Sequence, residues 1–390
     1  MKGYLFIANS TKPTKEKANS VEPVVIDTFG LAAVNAANEL GYKLFYGLNR
    51  NCPEKQHCTN FDVTFYDQHT YRDIFAWKDN IQAYKNLCRL LQDHPEIEII
   101  HCNTPIGGVV GRLCGQKYKK KVIYTAHGFH FYKGAPLKNW LFYYPVEKFL
   151  AKMTDILITI NQEDYEFATK KIKLKKKGKL YFVPGVGIDT KNYINPDTDS
   201  RQRKREELGL ASDDIALISM GDIVERKNYK LSIMAIADAQ NKRLHYFICG
   251  EGPEKEKLRS LTVELGIEGQ IHFLGFRRDI KELLFASDVF LFTSLQEGLP
   301  RSTMEAMAAG LPCVVSAIRG NVDLIKNGEG GFVCEVDDVK GFAEKIVSLA
   351  EDKKLRIKMG QKNLDNIKEY DIENVKVVVK EIFDKELGHA

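Results

Sequence analysis

The chain reads as one alternation run twice. Short runs rich in β-branched and aromatic residues, Tyr4 to Ala8, "KLFYG", "IEIIHC", "KVIYTA", Ile156 to Ile160 and Leu180 to Pro184, alternate with longer helical patterns such as "LAAVNAANEL" and "NIQAYKNLCRLLQ". The series then restarts with "IALISMG", "RLHYFICG", "IHFLG", "SDVFLFT", "PCVVS" and "GFVCE". Strands separated by helix-length segments do not close as hairpins; they return parallel, through crossover helices that cover the sheet on both faces. Two such series predict an α/β protein with two parallel sheets. The length of 390 residues agrees, since a single core rarely grows past roughly 250 residues before the fold splits.

The seam is expected in "VPGVGIDTKNYINPDTDS", where Pro184, Gly185, Gly187 and Pro196 interrupt a polar run. This divides the chain into residues 1–190 and 191–370. Beyond Tyr370, "DIENVKVVVKEIFDKEL" carries helical apolar positions that need a surface, and a helix within 371–390 is expected to pack back across the first domain.

Composition narrows the function classes. No stretch approaches the ~20 apolar residues that span a bilayer, and "MKGYLFIANSTKPTK" resembles a first core strand more than a signal peptide, so a cytoplasmic location is expected. Eight cysteines are scattered through mostly apolar runs, which favours buried thiols over disulfides. The local group Cys52, His57 and Cys58 has the wrong spacing for a zinc knuckle, so no metal is expected. The net charge of +5 is concentrated in "TKKIKLKKKGKLYF", with Lys170, Lys171, Lys173, Lys175, Lys176, Lys177 and Lys179, and in a second group from Lys117 to Lys121. These lysines are readable either as a solvated helix end or as a contact with an anionic lipid surface. Nucleic acid is not expected, because no binding signature accompanies the charge.

Open α/β sheets bind ligands at the carboxyl ends of their strands. After "SDVFLFT" comes "QEGLPRSTMEAMAAGLP", with Glu297 before a helix and, after seven intervening residues, Glu305 inside it. Pro300 suits the first helical turn and Gly310 closes the helix. The turn Gly298, Leu299 and Pro300, with Arg301 at the helix mouth, offers free amides and the positive end of a helix dipole to a phosphate. Two carboxylates that cannot meet at one point would hold separate sets of hydroxyls, which describes a nucleotide sugar; the plainer alternatives are a helix cap for Glu297 and a solvated helix residue for Glu305. The loop after "IALISMG" has Gly221 at the strand end and Arg226, Lys227 and Lys230 leading into a helix, readable as cations that neutralise a diphosphate or as the lysines common at loop-helix junctions. "CGEGPEKEKL" lacks the spacing of a dinucleotide or P-loop fingerprint, and Gly250 and Gly252 read as a tight turn only.

In the first half, His127 follows "KVIYTA" directly, as a catalytic candidate or as a satisfied strand-end histidine. The aromatics after it, from Phe129 to Tyr144 and including Trp140, with Lys133 and Lys138, are readable as a membrane-docking segment, a partner surface or core packing.

Together these stretches resemble family 4 of the retaining glycosyltransferases, which have the GT-B fold of two facing Rossmann-like domains. "EGLPRSTME" is similar to that family's Glu-x7-Glu motif, "AMAAGLPCVVSAIRGNVDLIKNGEGGFV" to its usual continuation, "FVPGVGIDT" to the family's interdomain strand end and "FLGFRRDIKELLFASDVFLFTS" to the approach to its donor site. "AHGFHFYKGAPLKNW" is most similar to bacterial enzymes that build capsular and exopolysaccharide units on a lipid carrier. The resemblance implies that Glu297 holds the donor sugar, Glu305 the ribose, Lys227 the phosphates, and that His127 lies near the reacting sugar. It further implies retention and no required metal or cofactor. Two departures stand out: Asp222 follows Gly221 where many members have arginine, with Arg226 the expected substitute, and the usual N-terminal glycine-rich loop is not evident in "NSTKPTKEKANSVEP".

The expected function is transfer of a hexosyl or N-acetylhexosaminyl unit from a UDP-sugar to a polyprenyl-diphosphate-linked saccharide at the inner face of the cell membrane. A nucleotide-sugar epimerase of the same architecture and a non-enzymatic membrane scaffold are the alternatives.

Overall fold

The computed structural model describes residues 1–7, 28–49, 62–71, 73–194 and 198–388. The chain divides into two compact units, Met1–Gly187 with Ile372–Ala390, and Ile188–Asp371. The Cys52 to Cys58 group and the N-terminal segment "NSTKPTKEKANSVEP" lie outside the described residues.

The first unit runs β1 (Gly3–Ile7), α1 (Thr28–Glu39), β2 (Lys43–Leu48), β3 (Val63–Asp67), α2 (Trp77–Asp93), β4 (Ile97–Cys102), α3 (Pro105–Tyr118), β5 (Lys121–Ala126), α4 (Leu137–Ala151), β6 (Ile156–Thr159), α5 (Gln162–Lys171) and β7 (Lys179–Phe182). Its seven strands pair in the order β3-β2-β1-β4-β5-β6-β7, and every pairing is parallel. Sequence reading finds six of these strands and misses β3. That strand lies at the sheet edge with all five residues only half-buried, so it lacks the apolar run that marks its neighbours.

The second unit runs α6 (Thr198–Glu207), β8 (Ile215–Met220), α7 (Tyr229–Asp238), β9 (Leu244–Cys249), α8 (Lys255–Glu264), β10 (Ile271–Gly275), α9 (Ile280–Ala286), β11 (Val289–Phe292), α10 (Arg301–Ala308), β12 (Cys313–Ser316), α11 (Asn321–Leu324), β13 (Gly331–Cys334), α12 (Val339–Glu351) and α13 (Lys353–Asn366). Its sheet has the order β10-β9-β8-β11-β12-β13, again parallel throughout. All six residues of β8 are buried, as expected of a central strand covered on both faces.

The last helix, α14 (Ile372–Leu387), belongs to the first unit. Val375, Val379, Ile382, Phe383 and Leu387 fall on one helical face and enter the core formed with Ala32, Ala33, Ala36 and Ala37 of α1. The small alanine face lets α14 approach closely. Each large apolar side chain buried there stabilises the unit by about 1.5–3 kcal/mol. Polar ties finish the seam: Lys121 Nζ donates to the Glu386 carbonyl at 2.5 Å, and the Tyr181 hydroxyl to Glu386 Oε1 at 2.5 Å.

In the second unit the strand order reverses between β8 and β11, so the carboxyl ends of these neighbouring strands mark its topological switch point. The loops that follow these strands are the usual ligand position in an open α/β sheet.

Candidate active site

The loop after β8 meets the loop after β11 through one carboxylate. Glu297 Oε1 accepts from Arg226 Nη1 at 2.6 Å and from Lys227 Nζ at 2.9 Å, and lies 2.8 Å from Ser294 Oγ. Lys227 and Glu297 have only 11% and 13% of their side chains exposed, whereas Arg226 keeps 44%. Backbone bonds fix the register of the two loops: Leu295 N donates to the Arg226 carbonyl at 2.8 Å, and Arg226 Nη1 to the Gln296 carbonyl at 2.7 Å. Glu297 is therefore not a helix cap but the meeting point of two loops.

Gly221 explains how Lys227 gets there. Its φ is +142°, and a Cβ at this position would lie 3.2 Å from Lys227 Cε and 3.4 Å from Nζ. A side chain here would crowd the ammonium, which also sits 4.6 Å from the Phe292 ring centroid, a favourable cation–π position. Behind Gly221, the Tyr229 hydroxyl donates to its carbonyl at 3.1 Å. Burial raises the Tyr229 pKa well above the usual phenol value, with nearby acidic groups that include Asp222 and Glu297 adding to it. Gly250 and Gly252, read as a tight turn, also permit close backbone packing: Cβ atoms there would meet the Gly221 and Ile223 carbonyl oxygens at 1.9 and 2.2 Å.

The turn before α10 differs from expectation in one detail. Pro300 stands at the N-cap, with φ −75° and ψ 117°, rather than inside the first turn, because its fixed φ is compatible with either position and its ψ here is extended. The first helical amides therefore come from Arg301, Ser302 and Thr303, while Met304 N already bonds the Pro300 carbonyl at 3.3 Å. Glu305 sits further along α10 and accepts from Arg301 Nε at 3.0 Å.

Arg319 is a residue that sequence reading missed. It is buried, and its Nε donates to the Glu297 carbonyl at 3.0 Å. The next residue, Gly320, has φ +81°, and a Cβ on it would lie 2.4 Å from the Gly298 carbonyl oxygen. The loop after β12 thus backs the Glu297–Leu299 turn at near-contact distance. A lone arginine in "SAIRGN" carries no signal of this, although the following glycine is what permits the approach.

In the first unit, His127 stands half-buried just past the carboxyl end of β5, its ring edge-on to Phe29 at 6.3 Å. Below it lies a buried chain: the Tyr4 hydroxyl is 2.6 Å from His101 Nδ1, and His101 Nε2 is 2.8 Å from Thr125 Oγ1. Burial, with a smaller contribution from His127, pushes the His101 pKa down to about 3.

The lysines and aromatics readable as a membrane-docking segment also belong to this unit. Trp140 turns inward with Tyr144, where both rings pack against Phe131 and Phe167; Phe129 and Phe131 are themselves buried. The aromatic density after His127 is thus largely core. The opposite face of α4 instead exposes Leu137, Leu141, Phe142 and Phe149. Lys133, Lys170, Lys171 and Lys176 are exposed, and Lys175 pairs with Asp155 at 2.8 Å. Among the described residues no helix is long and apolar enough to cross a membrane.

Comparison with known proteins agrees with these features. The family described as glycosyl transferases group 1 matches residues 200–365, and the glycosyl transferase 4-like family matches residues 52–161. The chain is 39% identical over 287 residues to the putative glycosyltransferase EpsD of Bacillus subtilis, covering 72% of this chain and 74% of the relative. It is 30% identical over 297 residues to the UDP-Gal:alpha-D-GlcNAc-diphosphoundecaprenol alpha-1,3-galactosyltransferase of Escherichia coli, covering 73% and 74%. In fold it resembles the Anabaena protein HepE solved with UDP, with a TM-score of 0.77 at 20% identity over 99% of this chain and 100% of the other. Two parallel-sheet units, the Glu297 to Glu305 segment and these relatives together establish that the chain belongs to the family 4 glycosyltransferases, with the GT-B fold.

Proposed function

We propose that this glycosyltransferase moves a hexosyl or N-acetylhexosaminyl unit from a UDP-sugar to a polyprenyl-diphosphate-linked saccharide, with retention, in exopolysaccharide or capsule assembly. The observation that carries the donor half is the uneven loading of Glu297. Three donor groups crowd Oε1, which leaves Oε2 to accept hydroxyls of the sugar. Lys227 and Arg226, together with the first amides of α10, supply positive charge where a diphosphate leaves. Glu305 takes the ribose, and His127 is the first-unit residue assigned to the reacting sugar. The reaction needs no metal or cofactor in this reading. The anomeric carbon–phosphate oxygen bond breaks, the acceptor oxygen bonds from the same side, and its proton passes to the leaving diphosphate. The lipid-linked acceptor is supported by the names of relatives, the Escherichia coli enzyme above and a diphospho-undecaprenol N-acetylgalactosaminyltransferase of Campylobacter jejuni that is 30% identical over 228 residues.

An acceptor of this kind lies in the membrane, and we assign the apolar face of α4 with Lys133, Lys170, Lys171 and Lys176 to peripheral attachment at its cytoplasmic side. One assay tests the whole reading: UDP-, GDP- and dTDP-sugars incubated with the protein and anionic vesicles bearing polyprenyl-diphosphate saccharides, followed by NMR of the product. The expected result is a new glycosidic bond with the donor's anomeric configuration, unaffected by EDTA, and vesicle binding that weakens with salt. Donor interconversion without acceptor, inversion, or failure of every nucleotide sugar to react would overturn it.

A further inference from the structure

Glu297 is gripped twice, once by its carboxylate and once by its main chain, and both grips lead back to the end of β12 and the loop after it. On the carboxylate side, Ser294 Oγ lies 2.8 Å from Oε1. Ser294 is itself held from β12. The Ser316 hydroxyl donates to its carbonyl at 2.5 Å, and Asn321 Nδ2 donates to the Ser316 carbonyl and hydroxyl at 3.0 and 3.2 Å. On the main-chain side, Arg319 Nε donates to the Glu297 carbonyl at 3.0 Å.

Burial makes these bonds consequential. Ser294, Ser316 and Asn321 are fully buried and Arg319 is 5% exposed, so water is not at hand to replace a lost donor. The two grips differ in redundancy. Ser294 shares Oε1 with Arg226 and Lys227, and its loss leaves two donors on that oxygen. Among the described residues no donor other than Arg319 serves the Glu297 carbonyl.

We propose that Arg319 is a positioning residue for the donor sugar: by holding the Glu297 carbonyl it fixes that residue's peptide plane, and so the direction in which Oε2 meets the sugar hydroxyls. The inference rests on the assignment of Glu297 to the donor sugar made above. Without the Nε bond, Oε1 stays tethered by Arg226 and Lys227, but the backbone beneath it turns and Oε2 swings away from the sugar. The contacts assigned to the nucleotide, from Lys227, Glu305 and the first amides of α10, do not run through this carbonyl. The loss therefore falls on the sugar and spares the nucleotide.

Two substitutions isolate the bond from the charge. Glutamine places its amide nitrogen at the same point along the side chain as the arginine Nε, whereas methionine places a methyl there. The test is transfer kinetics of the whole protein with UDP-glucose, UDP-galactose and UDP-N-acetylglucosamine, beside calorimetry with UDP. For the donor that the native protein uses, Arg319→Met is expected to lower kcat by about 10- to 100-fold, the size of a hydrogen bond from a charged donor. Arg319→Gln should keep most of the native rate, and both variants should bind UDP as the native protein does. In a Glu297→Ala background the two variants should transfer equally slowly.

Arg319→Gln as slow as Arg319→Met, a native rate in Arg319→Met, or UDP affinity that falls in step with kcat each overturns the positioning role. Where Arg319→Met does not fold, Gly320→Ala replaces it: its Cβ would lie 2.4 Å from the Gly298 carbonyl oxygen and push the turn away while Arg319 keeps its charge. Slow transfer with UDP binding intact is expected of that variant, and a native rate overturns the inference. If Glu297→Ala transfers normally, or the native protein uses none of the three donors, the functional reading falls and takes the inference with it. If Glu297→Ala is slow and Arg319→Met is not, only the inference falls.

Discussion

Each unit of this protein commits arginine to a glutamate, and the two pairs are built in opposite ways. In the first unit, Arg112 is 1% exposed and meets Glu147 with both ends of its fork, Nη1 to Oε1 at 2.5 Å and Nη2 to Oε2 at 3.0 Å. Its Nε donates to the Gly108 carbonyl at 2.9 Å, and its guanidinium lies 4.0 Å from the Tyr124 ring centroid. Both oxygens of Glu147 are used, so the pair is closed and fastens α4 to α3. In the second unit, Glu297 receives Arg226, Lys227 and Ser294 on a single oxygen, at the carboxyl edge of the sheet. A carboxylate satisfied on both sides fixes structure; one loaded on a single side keeps chemistry in reserve.

Breaking the closed pair should have the largest effect, and on stability alone. Glu147→Ala leaves a buried guanidinium unpaired and should cost about 3–5 kcal/mol in urea unfolding, because its desolvation is no longer compensated. UDP affinity of the folded variant should be unchanged. A loss under about 1 kcal/mol would mean that water reaches Arg112, and the contrast between the pairs would fail.

Breaking the open pair should do the reverse. Lys227→Ala should lower transfer by about 10²- to 10³-fold, the size seen when one preorganised donor to developing charge is removed. Its effect on unfolding should stay near 1 kcal/mol or less, since Arg226 and Ser294 still hold Oε1. Initial rates and urea curves on the same preparation separate these. A variant that unfolds easily yet transfers normally would make Lys227 a structural residue.

The same contrast explains what could be read before the structure. Strands such as β8 and β11 were legible because burial on both faces leaves continuous apolar runs, whereas β3, half-buried at an edge, carries no such run. Glu297, Lys227 and the α10 turn were legible because strand-end loops are where ligands bind and because their spacing is that of the family. Arg319 was not, since its role comes from the close approach of Gly320 to Gly298, which no local pattern records. The aromatics after His127 showed their density but not their direction. Only the helical phase of α4 decides that Trp140 and Tyr144 point into the core while Leu137 and Leu141 face out.

The smallest effect sharpens the comparison from a third side, because His101 shows the first unit refusing charge where it has no partner for it. The ring is fully buried against Tyr4, Phe6, Phe29 and Phe383, bonded to Tyr4 and Thr125, and its pKa lies near 3 instead of the ordinary 6.5. An unfolded chain takes up this proton near pH 6.5, while the folded one resists until about pH 3. The stability that neutral His101 contributes is therefore complete above pH 6.5 and declines on acidification, by about 1.4 kcal/mol per pH unit within that window. Urea unfolding at pH 7.5, 6 and 5 should show this slope in the native protein and a shallower one in His101→Phe. That variant also starts lower, because the Tyr4 and Thr125 hydroxyls lose their shared partner. Equal slopes in both proteins would mean that His101 accepts its proton inside the fold, and that the first unit tolerates an uncompensated buried charge.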